Sequence, residues 1–152
     1  MPIRRAALKF WVPPASWMVV IFSASGDSAS MAHSSHIFEP VMHWLFPRLA
    51  QARVEEIHYL FRKGMHMAEF SILALLLWLA IRRSHITEDH RWRWSQAGLS
   101  LAIVLLYAAS DEFHQTFVSG RTGQVSDVMV DTTGGIIGLG LLWLAGRLFK
   151  RW

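Results

Sequence analysis

Four apolar stretches, residues 10–22, 65–81, 97–109 and 128–149, alternate with polar segments along the chain. A helix rising 1.5 Å per residue needs roughly 20 apolar residues to cross about 30 Å of hydrocarbon. Each stretch lies near that limit alone. Four of them in one short chain predict an all-α fold: an integral membrane bundle of about four transmembrane helices, with spans near 8–23, 64–81, 95–111 and 127–149. Residues 1–152 then form a single membrane domain. The competing architecture is a soluble four-helix bundle, but few polar stripes are left to face water.

The segments between the stretches refine this picture. Residues 49–61 are amphipathic, with Leu49, Ala50, Val54, Ile57, Leu60 and Phe61 assigned to one side of a helical wheel and Glu55, Glu56, His58 and Arg62 to the other. They predict a helix on the outer membrane surface, or packed on the bundle, that leads into the second span. Residues 23–40 are polar and rich in Ser and His, and read as an outer loop. Pro13 and Pro14 suit only the first turn of a helix. Arg4, Arg5 and Lys9 before the first stretch, and Ser23-Ala24-Ser25 after it, also fit a cleavable signal peptide. The proline pair with Trp11 and Trp17 favours a retained, interface-anchored span. Ser126-Asp127 signals the start of the fourth helix. Gly134 and Gly138, four apart, let a second helix approach closely, either within the bundle or in a homodimer through this face.

Charge sets the orientation. With the N-terminus inside, the cytoplasmic segments hold ten of the fifteen Lys and Arg residues: Arg4, Arg5, Lys9, Arg82, Arg83, Arg91, Arg93, Arg147, Lys150 and Arg151. The positive-inside rule then predicts both termini in the cytoplasm. The net charge of +4 would raise nucleic acid as a partner for a soluble chain. Beside long apolar runs it is explained by the lipid bilayer, and no nucleic-acid partner is expected. The absence of cysteine excludes disulfides, zinc-thiolate sites and thiol nucleophiles.

Ionisable residues inside a span are costly and by default paired or functional. Here they gather towards one side. Lys63, His66 and Glu69, spaced by three, enter the second span on one broad face, with Glu69 about 9 Å deeper than Lys63. The pair His66 and Glu69 fits either two metal ligands or a proton-transferring couple. Asp111, Glu112 and Gln115 end the third span, where adjacent carboxylates hold a cation or share a proton. Gly120 and Arg121 lie in the tight connection that follows, and Arg121 suits a phosphate or a carboxylate. Asp127 and Asp131, four apart, open the fourth span on one face. The bland readings are a solvated helix end, a salt-bridge network around Arg121 and a structural His–carboxylate hydrogen bond. Convergence of four separate segments on one outer-face depth favours a site.

The arrangement Lys63-x-x-His66-x-x-Glu69, Asp111-Glu112-x-x-Gln115-x-Phe117-x-x-Gly120-Arg121 and Asp127-x-x-x-Asp131-x-x-Gly134 resembles the VanZ-like family. The stretch Phe22-Ser23-x-Ser25-x-Asp27 resembles that family's first outer motif. The likeness covers residues 22–138. One departure is Asp131, where the family often has Asn, so a purely hydrogen-bonding role does not carry over. The resemblance implies a small multi-span bacterial membrane protein linked to teicoplanin resistance and to the cell envelope.

Two functions follow as expectations. The first is an enzyme on a lipid-linked or phosphate-bearing envelope substrate. In it His66, Glu69, Asp111, Glu112 and Gln115 carry the catalysis, and Lys63, Arg121 and Gly120 bind substrate. Asp111, Glu112, Asp127 and Asp131 hold a divalent cation of the Mg or Ca type. The second is a non-catalytic binder that alters antibiotic access or sequesters a lipid head group. Ion-coupled transport is disfavoured, since four short helices leave little room for a pathway.

Overall fold

Val12 begins the first helix with Pro13 and Pro14 in its opening turn, where a missing backbone N–H costs nothing. The computed structural model describes residues 8–25, 31–84, 91–118 and 123–152, and every regular element within them is an α-helix. In chain order these are α1 (Val12–Ala24), α2 (Met31–Leu45), α3 (Gln51–Ser84), α4 (Trp94–Gln115) and α5 (Val125–Leu148).

The all-α expectation holds, with corrections. Among the described residues two helices, α3 and α5, are long and apolar enough to cross a membrane. The count of four spans therefore does not stand on length and composition. α1 is apolar but has 13 residues. α4 has 22, yet Gln96 near its start and Asp111 and Glu112 near its end shorten its apolar stretch.

α2 occupies much of the segment expected to be an outer loop. Phe38, Val41 and Leu45 fall at helical spacing there, and Pro40 inside the helix removes only one backbone bond. The amphipathic segment and the second span form one continuous helix, α3, whose 34 residues extend about 51 Å. Its inward face differs from the expected wheel. Val54 and His58, four apart, are buried, whereas Ile57, Leu60 and Phe61 are exposed. Stacking accounts for the burial of His58, since the Phe38 ring of α2 lies 4.5 Å from that of His58.

The core joins Phe70, Leu73 and Leu77 of α3 to Val104 and Ala108 of α4, Leu139 of α5 and Ile21 of α1. The tightest packing is α3 on α5. A Cβ at Gly134 would sit 2.8 Å from Met67 Cα, and one at Gly138 would sit 3.0 Å from the Ser71 carbonyl oxygen. Only glycine admits this approach, and Ser71 Oγ donates to the Gly134 carbonyl at 2.6 Å. The face considered for a homodimer is thus filled by α3 of the same chain.

Side-chain bonds to main-chain carbonyls fasten the other helices. Tyr107 Oη of α4 donates to Met18 of α1 (2.5 Å), Trp17 Nε1 of α1 to Glu69 of α3 (2.9 Å), and Ser100 Oγ of α4 to Ala74 of α3 (2.8 Å). An apolar belt stays outside: Val19, Val20, Leu105, Leu106, Ile137 and Leu141 are all exposed. Such a surface is unusual for a water-soluble monomer.

One end of the bundle is basic and aromatic. The Trp78 and Trp92 rings stack at 5.2 Å, Trp152 packs 5.4 Å from Trp92, and the Arg82 guanidinium lies 5.0 Å above Trp78. Trp11 Nε1 donates to Ser84 Oγ at 3.0 Å, which brings the start of α1 to the end of α3. The opposite end receives acidic and basic residues of α3, α4 and α5.

Candidate functional site

At that opposite end α3 contributes Lys63, His66 and Glu69, α4 contributes Asp111, Glu112 and Gln115, and α5 contributes Asp127 and Asp131. Helical periodicity explains each set. Residues three or four apart return to one face, so each helix turns its acidic or basic residues the same way.

The residues form distinct contacts. Asp111 is 1% exposed, and its Oδ2 accepts from Ser25 Oγ at 2.7 Å and from Gln115 Nε2 at 2.9 Å. Glu112 Oε2 accepts from the Gln124 backbone N–H at 2.9 Å. Gln124 is the residue before α5, which has no side-chain cap of its own, so Glu112 places a carboxylate at a helix N-terminus. Gly123 makes the approach feasible, because a Cβ there would run into the Glu112 carbonyl oxygen and lie 2.8 Å from Thr116 Cγ2. Lys63 Nζ pairs with Asp127 Oδ1, joining α3 to the first turn of α5.

His66 stands between two carboxylates. Its Nδ1 is 3.8 Å from Glu69 Oε2 and 4.0 Å from Asp131 Oδ1. These separations exceed a hydrogen bond but lie well within charge–charge reach. Asp131 is 1% exposed, and Glu112, Asp111, Asp127 and Glu69 all act on it electrostatically. Two buried carboxylate oxygens, Asp111 Oδ1 and Asp131 Oδ2, have no hydrogen-bond partner among the described residues. Such atoms are uncommon in folded proteins and call for an explanation.

The structure therefore brings His66 towards Glu69 and Asp131, pairs Lys63 with Asp127, and ties Asp111 to Gln115. Gly120 and Arg121 lie outside the described residues. The expected cation set of Asp111, Glu112, Asp127 and Asp131 is not assembled. Among the described residues no group of three or more His, Asp or Glu side chains is placed to hold a metal ion. The physical reason is that three of the four are turned to separate partners: a serine and a glutamine, a backbone N–H, and a lysine.

Sequence reasoning missed three members. Ser25 belonged to the stretch carrying the family resemblance but had no role. Gln124 takes part through its backbone, which sequence does not mark. His114 stacks on Phe22 with ring centroids 4.0 Å apart, and its Nδ1 is buried without a hydrogen bond among the described residues.

A family model described as VanZ/LLP1 matches residues 10–146. No curated protein and no solved structure matches the chain.

Proposed function

The chain belongs to the VanZ/LLP1 family, and on that premise we propose that it is a multi-pass protein of the bacterial cytoplasmic membrane that acts on the cell envelope from its outer face. Family membership supports a link to glycopeptide resistance, with teicoplanin as the antibiotic of interest. Two apolar helices and the exposed apolar belt support residence in a membrane. In this reading α1 and α4 cross beside α3 and α5, both termini are cytoplasmic, and the basic, tryptophan-rich end faces inward.

The observation that carries the functional reading is His66 poised between Glu69 and Asp131 inside a span. Both carboxylates face Nδ1, so one of them holds the Nδ1 proton and orients the ring, and proton exchange with substrate near neutral pH goes through Nε2. We assign these three residues the acid/base work on a lipid-linked envelope substrate. Lys63, with Gly120 and Arg121 of the following connection, is assigned to substrate binding. A second reading, a binder without turnover, is favoured by the way Asp111 and Glu112 are occupied in holding helices together.

Teicoplanin susceptibility of cells expressing His66→Gln or Glu69→Gln separates the two. Loss of resistance with normal membrane abundance supports proton transfer. Full resistance in both variants supports the binder.

A further inference from the structure

Resting on the reading that this end of the bundle is a ligand site, we propose that its inner part receives a primary ammonium group from the envelope component it acts on. Charge balance is the first argument. Asp131 lies within electrostatic reach of Glu69, Asp111, Glu112 and Asp127, so five carboxyl groups share one end of the bundle. The lysine that reaches them, Lys63, is already paired with Asp127, and His66 faces Glu69 and Asp131.

The second argument is independent of charge and concerns what is missing. Two buried carboxylate oxygens at this end, Asp111 Oδ1 and Asp131 Oδ2, accept no hydrogen bond among the described residues and lie on side chains 1% exposed. A ligand that completes them brings N–H or O–H donors, and an ammonium group brings three on a compact positive charge. The open side fits entry from outside, because the side chains of Lys63, His66, Glu69 and Asp127 are 22%, 22%, 22% and 28% exposed. A divalent cation would need several oxygens converging at short range in a fixed geometry. Asp111, Glu112 and Asp127 are each turned to other partners, and no such set exists among the described residues. An ammonium group asks less of its surroundings, accepting scattered acceptors at ordinary hydrogen-bond distances.

The phosphate expected of a lipid-linked substrate then lies outward of these carboxylates. The ligand is zwitterionic in this arrangement, amine inward and anion outward. Both a phospholipid amine head group and the amino group of a wall peptide have this chemistry.

The test uses the full-length protein in nanodiscs of phosphatidylglycerol, titrated calorimetrically with decylamine and separately with decyl phosphate. The expected result is saturable decylamine binding that weakens by about tenfold or more in Asp131→Asn and in Asp111→Asn, the scale of one charge-assisted hydrogen bond. Both variants keep side-chain shape, and circular dichroism with gel filtration verifies their folding. Competition by phosphatidylethanolamine assigns the amine to a lipid; competition by a lysine-bearing soluble peptide assigns it to the wall. The proposal is overturned if decylamine shows no saturable binding to folded wild type, or if its binding is unchanged in both variants. It is equally overturned if decyl phosphate or magnesium takes the place of decylamine in a manner lost in the same variants. Failure here, alongside loss of resistance in His66→Gln, leaves the envelope function standing without the ammonium ligand.

Discussion

Ser25 Oγ, at the end of α1, donates to Asp111 Oδ2 of α4 at 2.7 Å across 86 residues of chain. Both residues are essentially inaccessible to solvent. The bond fastens the shortest core helix to the site and turns one carboxylate oxygen away from any ligand. Ser25→Ala removes the hydroxyl and leaves Gln115 as the donor to that oxygen. The expected cost is about 0.5–1.5 kcal/mol of stability, the scale for losing one hydrogen bond at an acceptor that keeps another. Thermal unfolding in detergent measures it, and an unchanged midpoint would mean that water or a neighbour replaces the hydroxyl.

Glu112 tests the difference between holding the fold and doing chemistry. Glu112→Gln keeps an oxygen for the Gln124 N–H and should change stability little. Glu112→Ala exposes the start of α5 and should cost about 1 kcal/mol, the usual scale for losing a helix cap. If the glutamine variant folds normally yet abolishes resistance, the carboxylate has a chemical role beyond the cap.

The Lys63–Asp127 pair should show coupling. Reversing either charge alone leaves two like charges facing each other between α3 and α5, and each single variant should destabilise. The double reversal, Lys63→Asp with Asp127→Lys, should recover part of the loss. A double-mutant cycle is expected to give about 1 kcal/mol of interaction energy. Zero coupling would mean that the two side chains meet water rather than each other.

The glycine face gives contrasting outcomes within one helix. Gly134→Leu drives a side chain into the backbone at Met67, and Gly138→Leu into that at Ser71. Both should prevent accumulation of folded protein in the membrane. Gly140→Ala meets nothing within 4 Å and should be tolerated, with a gain of up to about 1 kcal/mol from helix propensity. Gel filtration of whatever folds is the further check: a Gly134→Leu protein that folds as a smaller species would place self-association, not α3, on this face.

Particular residues show how far sequence reasoning reached. The spacing of Lys63, His66 and Glu69 on one helix, and of Asp127 and Asp131 on another, needs only helical periodicity, and the structure keeps each set on one side. The basic end, with its Arg and Trp residues, was legible from the segments that flank the apolar stretches. In the segment before the second span, Ile57, Leu60 and Phe61 are exposed, and His58 of the polar side is the buried neighbour of Val54. A hydropathy pattern cannot register that Phe38 supplies an aromatic surface for an imidazole. The same holds for α2, whose Ser and His content suggested a loop while its apolar spacing made a helix.

What the sequence by itself determined is the local and compositional part. It set an all-helical chain, a polar end opposite a basic one, the family through its spaced motifs, and the residues that make up the acidic end. These follow from periodicity and from the cost of charge in apolar surroundings, which act within a few turns of helix. The tertiary structure decided which carboxylate meets which donor. Asp111 went to Ser25 and Gln115, Glu112 to the start of α5, Asp127 to Lys63, and Asp131 was left beside His66 with one oxygen unfilled. Those pairings depend on the close α3–α5 approach at Gly134 and Gly138 and on where the short α1 ends. Both are set by packing between helices far apart in the chain, which no local pattern encodes.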